Sequence, residues 1–346
     1  MTLYDRIAEL PLEIESCAFD RLEQPISSEF TRVTTVVRLR GGGEEGVGED
    51  VTYDGSLHPP PADLPLAEAR SLDDLSTLLE GRDLFPGAGP MMEAFRHYRR
   101  WAFESAALDL ALRQAGRSLA DAVGREARPV TFVVSTRLPD PPSAAPLLRL
   151  VARFPGTRFK LDPTLAWTDD VVAELAATQV VDTVDLKGAY KGTPVDLPPD
   201  PHLYARVAEG FPEAWIEDPA LTEETDRVLA PYRDRITWDA PIHSVADVEA
   251  LPFPPRTINI KPSRFGSVRA LFEAYEYCGA NGLGAYGGGQ FELGPGRGQI
   301  QYLASLFHAS SPNDVAPSGY NARDPADGLP LSPLAPVPVP VGFRWG

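Results

Sequence analysis

Five charged residues recur through the middle of the chain: Lys160, Asp185, Glu217, Asp239 and Lys261, at steps of 25, 32, 22 and 22 positions. Each closes a short apolar run, as in Phe-Lys160-Leu-Asp162-Pro, Val-Asp185-Leu-Lys187-Gly, Trp-Ile-Glu217-Asp-Pro, Trp-Asp239-Ala-Pro and Ile-Asn-Ile-Lys261-Pro-Ser. Three carboxylates gathered in one place raise one another's pKa unless a cation joins them. A set of oxygen donors suits Mg²⁺, which keeps water or substrate oxygens in its remaining positions. A dication disfavours the ammonium form of a neighbouring lysine, so the amine can act as a base near neutral pH. Metal and lysines together suit removal of a proton next to a carboxylate, the metal stabilising the enediolate and a lysine taking the proton.

Residues this far apart meet only if repeated elements carry them to one rim. Each step is about one βα unit, and in a βα barrel the strand C-termini form the active-site face. From residue 130 onward, short apolar runs at Val130–Ser135, Arg158–Leu161, Thr183–Leu186, Ala214–Ile216, Arg235–Trp238, Thr257–Ile260 and Gly282–Tyr286 read as strands. Stretches such as Val171–Ala177, Tyr204–Glu209 and Val268–Tyr277 read as the helices between them, and Ser244 with Asp247 is a helix-start pattern. Repeated βα units imply parallel strands. A doubly wound sheet is the alternative, but no Gly-x-Gly-x-x-Gly follows the first strand.

The first third differs. Residues 10–55 read as strands, with Phe30–Leu39 alternating, a Gly41–Gly43 turn, and Glu44–Val51 completing a hairpin. Residues 67–125 read as helices, and Trp101–Ala115 has helical spacing that ends at Gly116. The division is therefore an α+β cap over residues 1–126, a barrel over 127–317, and a Pro-rich segment over 318–346.

With 32 Lys and Arg against 49 Asp and Glu, the net charge of −17 argues against nucleic acid or an anionic membrane surface as partner. There is no run of 18 apolar residues and no basic-then-apolar start. Cys17 and Cys278 cannot build a disulfide framework or a thiolate metal site. The expectation is a soluble, cytoplasmic, reduced protein acting on a small-molecule carboxylate. Nothing in the composition opposes assembly as a homo-oligomer.

At this point the chain resembles the enolase superfamily over about residues 5–310. The strongest matches are Trp-Ile-Glu217-Asp-Pro and Ile-Lys261-Pro-Ser-Arg264-Phe-Gly266. Gly46-Val-Gly-Glu49 and Phe103–Leu112 resemble its cap. The resemblance implies an α+β cap over a modified (β/α)7β TIM-type barrel, with the C-terminal segment returning to the cap. It implies Mg²⁺ on Asp185, Glu217 and Asp239, and Lys261 as acid/base. The seventh strand ends in Gly287-Gly288-Gly289 and not in histidine, which argues against the mandelate racemase type. Lysines on the second and sixth strands look like the muconate lactonizing subgroup, which includes o-succinylbenzoate synthases, dipeptide epimerases and cycloisomerases. The outcome implied is elimination, as in an o-succinylbenzoate synthase, or epimerisation or cycloisomerisation.

Two positions depart from that subgroup. Its Lys-x-Lys reads Lys160-Leu161-Asp162, and its Asp-x-Asn reads Asp185-Leu186-Lys187. Strand alternation puts Lys160 and Asp162 on one face. Lys187 then either replaces the missing base or ion-pairs with Asp162, or one base is lost and Lys261 works alone. A carboxylate-binding barrel without turnover is the corresponding non-enzyme reading. Leu161–Thr168 also resembles the family's third-strand stretch, in which register Asp162 is the first metal ligand; one unit per strand favours Asp185. Arg264, Gly288 and Glu292 are candidate substrate contacts, with an ion pair for Arg264 and a helix cap for Glu292 as alternatives. His243 follows the fifth strand near the rim. By resemblance, residues 19–30 form the mobile cap loop over the site, with Phe19, Arg21 and Phe30 as candidates.

Overall fold

The computed structural model describes residues 1–345 except 27–29, 62, 86, 88, 191–194 and 323. The chain begins with an antiparallel meander of β1 (Ser16–Pro25), β2 (Thr31–Gly41) and β3 (Glu44–Asp50). Gly42 and Gly43 both take positive φ, the requirement of a two-residue hairpin turn. Helices α1 (Leu72–Glu80), α2 (Ala94–Gln114) and α3 (Leu119–Val123) complete the cap. The helix α2 lies almost in contact with the backbone of β3. A Cβ on Gly46 would sit 2.2 Å from the Ala106 carbonyl oxygen, and one on Gly48 2.1 Å from that of Ala102. Glycine is therefore required at both positions.

The expected loop over residues 19–30 is corrected. Residues 16–25 are strand β1, paired with β2 from Ser16↔Arg40 to Pro25↔Thr31. The Thr- and Val-rich β2 offers a full-length partner, and Phe19 packs edge-on against Phe103 of α2 at 6.2 Å. Residues 27–29 of that expectation lie outside the described residues.

The barrel follows as β4 (Val133–Thr136), α4 (Ala145–Arg153), β5 (Arg158–Leu161), α5 (Asp169–Ala177), β6 (Val181–Asp185), α6 (Pro201–Gly210) and β7 (Trp215–Glu217). It continues with α7 (Glu223–Leu229), β8 (Ile236–Thr237), α8 (Val245–Glu249), β9 (Thr257–Ile260), α9 (Pro262–Phe265), α10 (Val268–Asn281), β10 (Gly284–Gly287) and α11 (Pro295–Phe307). Strands β4 to β8 form a parallel sheet in chain order, and β9 pairs in parallel with β10. The Asn259 N–H donates to Trp238 O at 2.9 Å, joining the β8 side to β9. Residues 313–314 act as the eighth segment, with parallel bridges to Phe132 and Gly288. The Asn313 amide fixes this closure. Its oxygen accepts the Gly287 N–H at 2.6 Å, while its nitrogen donates to the carbonyls of Thr131, His308 and Ser311.

The strands are short and buried on both faces, so they read as apolar runs without alternation. Val184, Ile216, Ile236, Ile258 and Ile260 are fully buried. Five of the intervening helices start on a capping side chain: Thr168, Asp200, Thr222, Ser244 and Ser267 each accept a first-turn N–H. Residues 342–344 return to the cap. The Gly342 N–H donates to Arg117 O, and the Phe343 N–H (2.8 Å) and Arg344 guanidinium (2.6 Å) donate to the buried Asp109 of α2. Among the described residues no helix is long and apolar enough to cross a membrane.

Candidate active site

Strand register builds the centre of the site. Asp185 at the end of β6 is directly opposite Glu217 at the end of β7. Glu217 pairs with Thr237, and Asp239 lies two residues on, on the same face. The three carboxylates are buried and each turns one oxygen to a common point, all within 4.8 Å of one another.

Cations surround them. Lys160 Nζ lies 2.9 Å from Asp185 and also bonds Glu217. Lys187 Nζ bonds Asp185 and lies 3.4 Å from Asp162. The left-handed backbone at Lys187 (φ 54) turns this side chain back over the strand end. Lys261 Nζ is 2.8 Å from Asp239. Arg264 donates to Asp239 at 2.9 Å and to the Tyr190 hydroxyl at 3.0 Å, and Tyr190 donates to Asp239 at 3.1 Å. Tyr286 donates its hydroxyl proton to Glu217.

These partners divide the acids. Burial pushes Asp185 up, but Lys160 and Lys187 outweigh it and hold the carboxyl below the usual range. Burial likewise opposes ionisation of Asp239, and Arg264 and Lys261 hold it down. Burial dominates at Glu217, which is pushed well up although Lys160 opposes the rise, and the acids Asp185, Asp239 and Asp218 add to it. Asp218 is pushed up to about 7 by burial and by Asp239 and Asp185. Its carboxylate accepts the N–H groups of Asp239 (2.8 Å) and Ala240 (2.9 Å), which fixes the backbone that presents Asp239. Burial works against the charge of Lys160, yet Asp185 and Glu217 keep it an ammonium.

The donor set fits Mg²⁺. It consists of hard oxygen ligands, and it is buried and convergent. Asp162 lies outside this trio and faces Lys187.

Other candidates take different places. Arg264 takes the ion-pair alternative: it is 3% exposed and its guanidinium bonds Asp239 and Tyr190. Glu292 does not cap the helix that follows: it accepts its own loop's Gln290 N–H at 2.6 Å and lies 3.3 Å from Arg297, and α11 has Gly294 at its N-cap with no side-chain cap. Gly288 borders the Lys261 stem; a Cβ there would sit 2.7 Å from Lys261 Cε. His243 packs against His97 of α2, ring centroids 5.9 Å apart. Arg21 is committed to Glu23 and to the carbonyls of Gly55 and His58, and Phe30 is exposed.

The cap is locked to the barrel loop beside the site. Glu49 accepts the N–H groups of Leu293, Gly294 and Gly296, and Arg32 donates to the carbonyls of Val51, Thr52, Gln290 and Phe291. Sequence reasoning missed Tyr190, Tyr286, Asp218 and Arg32. Tyr286 was accessible from alternation, two positions before Gly288, and Asp218 from its place beside Glu217; Tyr190 and Arg32 carry no such signal.

This fold is that of the enolase superfamily. A solved structure of an unknown member of that superfamily from Enterococcus faecalis superposes with a TM-score of 0.70 at 20% identity, over 96% of this chain and 94% of that one. Muconate cycloisomerase from Pseudomonas fluorescens superposes with a TM-score of 0.64 at 19% identity, over 88% and 87%. The chain belongs to the DUF8230 family: residues 5–122 match its N-terminal domain and residues 126–322 its C-terminal domain, each described as a domain of unknown function. It is also similar to an N-succinylamino acid racemase of Thermus thermophilus, 26% identical over 372 residues, 99% of this chain and 92% of that protein.

Proposed function

We propose that the chain is a Mg²⁺-dependent enzyme that moves the proton α to the carboxylate of a small substrate, an N-acylated amino acid being the first candidate. One observation carries this reading. Lys187, just after β6, and Lys261, just after β9, approach the Asp185–Glu217–Asp239 trio from strands three positions apart in the barrel. Two amines on different sides of one centre suit removal of a proton from one face and its return to the other, the outcome being racemisation or epimerisation. The relative named as a racemase supports this outcome.

Asp185, Glu217 and Asp239 would hold the metal. Bound Mg²⁺ supplies electrostatic stabilisation of the negative charge that develops on the substrate carboxylate. Lys160, kept charged between Asp185 and Glu217, adds a fixed positive charge beneath that carboxylate. Arg264 and Tyr190 hold Asp239 in place. Lys261 and Lys187 exchange protons with the substrate carbon.

One observation favours a second outcome. Lys187 is committed to Asp185 and Asp162, and a lysine pinned there leaves Lys261 as a single base, which suffices for elimination of the o-succinylbenzoate synthase kind.

Incubation with Mg²⁺ in D₂O and a panel of N-acyl amino acids, dipeptides and sugar acids, followed by NMR, tests both. Deuterium entering both enantiomers, and lost in Asp239→Asn, supports racemisation; a dehydrated product supports elimination. Absence of exchange and product across the panel would favour a carboxylate-binding barrel without turnover.

A further inference from the structure

Asn259 lies two residues before Lys261 on β9, so the two side chains leave the same face. It is 1% exposed, and neither its amide oxygen nor its amide nitrogen has a hydrogen-bond partner among the described residues. A buried carboxamide open at both ends is costly, and such groups in native proteins have an occupant. The point a Cβ on Gly288 would occupy lies 2.7 Å from Lys261 Cε, 3.0 Å from Asn259 Oδ1 and 3.2 Å from Asn259 Nδ2. The missing side chain at Gly288 therefore lets its backbone come up against the lysine stem and the open carboxamide, which lie next to each other.

Lys261 meanwhile aims its ammonium at Asp239 Oδ2, 2.8 Å away, and Arg264 and Tyr190 occupy the rest of that carboxylate. This arrangement conflicts with ligation, because a dication seated on Asp239 repels an ammonium that has that carboxylate as its sole ion-pair partner. We propose that Asn259 is the second seat of Lys261: its amide oxygen takes the ammonium when Asp239 ligates a divalent cation. A change of staggered rotamer in the lysine turns the ammonium from Asp239 toward the neighbouring amide. The amide oxygen accepts the charged donor without adding another carboxylate to the site. Asn259 is thus a positioning residue, acting through Lys261, and the inference rests on the metal-site reading above.

The test is calorimetric titration of the full-length, metal-free protein with MgCl₂ alone. The variants are Asn259→Leu, Lys261→Met and the double variant, each first shown to melt cooperatively. Asn259→Leu should weaken Mg²⁺ binding about tenfold, the size of coupling expected between groups in contact. In the Lys261→Met background the same change should alter the affinity less than about twofold. Metal-free melting should not fall in Asn259→Leu, since it removes an open amide. If Asn259→Leu does not fold, Asn259→Ala takes its place in the same cycle. Equal weakening in both backgrounds would mean a merely structural asparagine and overturn the proposal. An unchanged affinity in Asn259→Leu, with wild type binding Mg²⁺, would overturn it while leaving the metal site intact. Failure of wild type to bind Mg²⁺ would overturn the metal site and this inference together.

Discussion

Lys187 and Asp162 face each other across neighbouring strand ends at 3.4 Å, with Lys187 also held by Asp185. Lys187 carries the positive charge that the related pattern places on the neighbouring strand, where Asp162 stands. If the amine has moved one strand without leaving the site, Lys187→Met should lower α-proton exchange on one substrate face by roughly 10²-fold or more while sparing the face served by Lys261. The exchanged pair Asp162→Lys with Lys187→Asn should recover a large part of that loss. The measurement is deuterium uptake from each enantiomer separately. Equal loss on both faces in Lys187→Met would count against a base role.

Metal affinity should track the three strand-end acids. Glu217→Gln and Asp239→Asn should each weaken Mg²⁺ binding by roughly 10²-fold, since each removes a charged ligand from a buried site. Asp162→Asn should weaken it far less. Thermal shift with increasing Mg²⁺ reads all three. A wild-type melting temperature that ignores Mg²⁺ would remove the basis for the assignment.

The Glu49 contact makes a stability prediction. Its carboxylate accepts three N–H groups of the loop between β10 and α11 from inside a fully buried position. Glu49→Ala leaves those donors unpaired and should cost about 3–5 kcal/mol. Glu49→Gln keeps an acceptor and should cost less than half of that. Urea denaturation of the two variants, compared at one pH, checks the ordering; similar losses in both would mean the hydrogen bonds are not the source.

His308 gives the pH dependence a sign. The Asn313 amide nitrogen donates to three carbonyls, so its oxygen is the atom facing His308 Nδ1 at 2.6 Å, and that ring nitrogen must carry a proton. Nε2 then accepts from Tyr275 at 3.2 Å. Burial pushes the imidazole pKa down to about 4. The unfolded chain therefore binds a proton near pH 6.5 that the folded one refuses until about 4. Stability is fully present above about 6.5 and falls as the pH drops toward 4, by about 3 kcal/mol in all. A His308→Gln variant should lose this part of the slope between pH 6.5 and 4, read from urea midpoints. An unchanged slope would place the acid sensitivity elsewhere.

The barrel was legible because each βα unit exposes its logic in sequence. A doubly buried strand is an apolar run, and the charged residue ending it stands out. The strand ends at Asp185, Glu217 and Lys261 could thus be placed from spacing. The start of helix α11 was obscured because its first turn is Pro-Gly-Arg-Gly, whose composition reads as loop. Residues 10–55 read as strands, and the loop expected over 19–30 comes from the resemblance alone; pairing with β2 keeps Ser16–Pro25 in strand β1. Arg264 could not be assigned from its position, since its commitment to Asp239 and Tyr190 depends on a loop that no periodicity locates. The open amide of Asn259 is a property of packing alone.

Asp109 ties two distant times together in the life of the chain. It is buried within α2, and the Phe343 N–H and Arg344 guanidinium that satisfy it lie 234 and 235 residues further along. On a ribosome adding roughly 5–20 residues per second, those partners arrive some ten seconds to most of a minute after the helix has left the exit tunnel. Until then the aspartate has Val47 and Arg113 but lacks two of its four donors. The cap is therefore made before the barrel and finished after it.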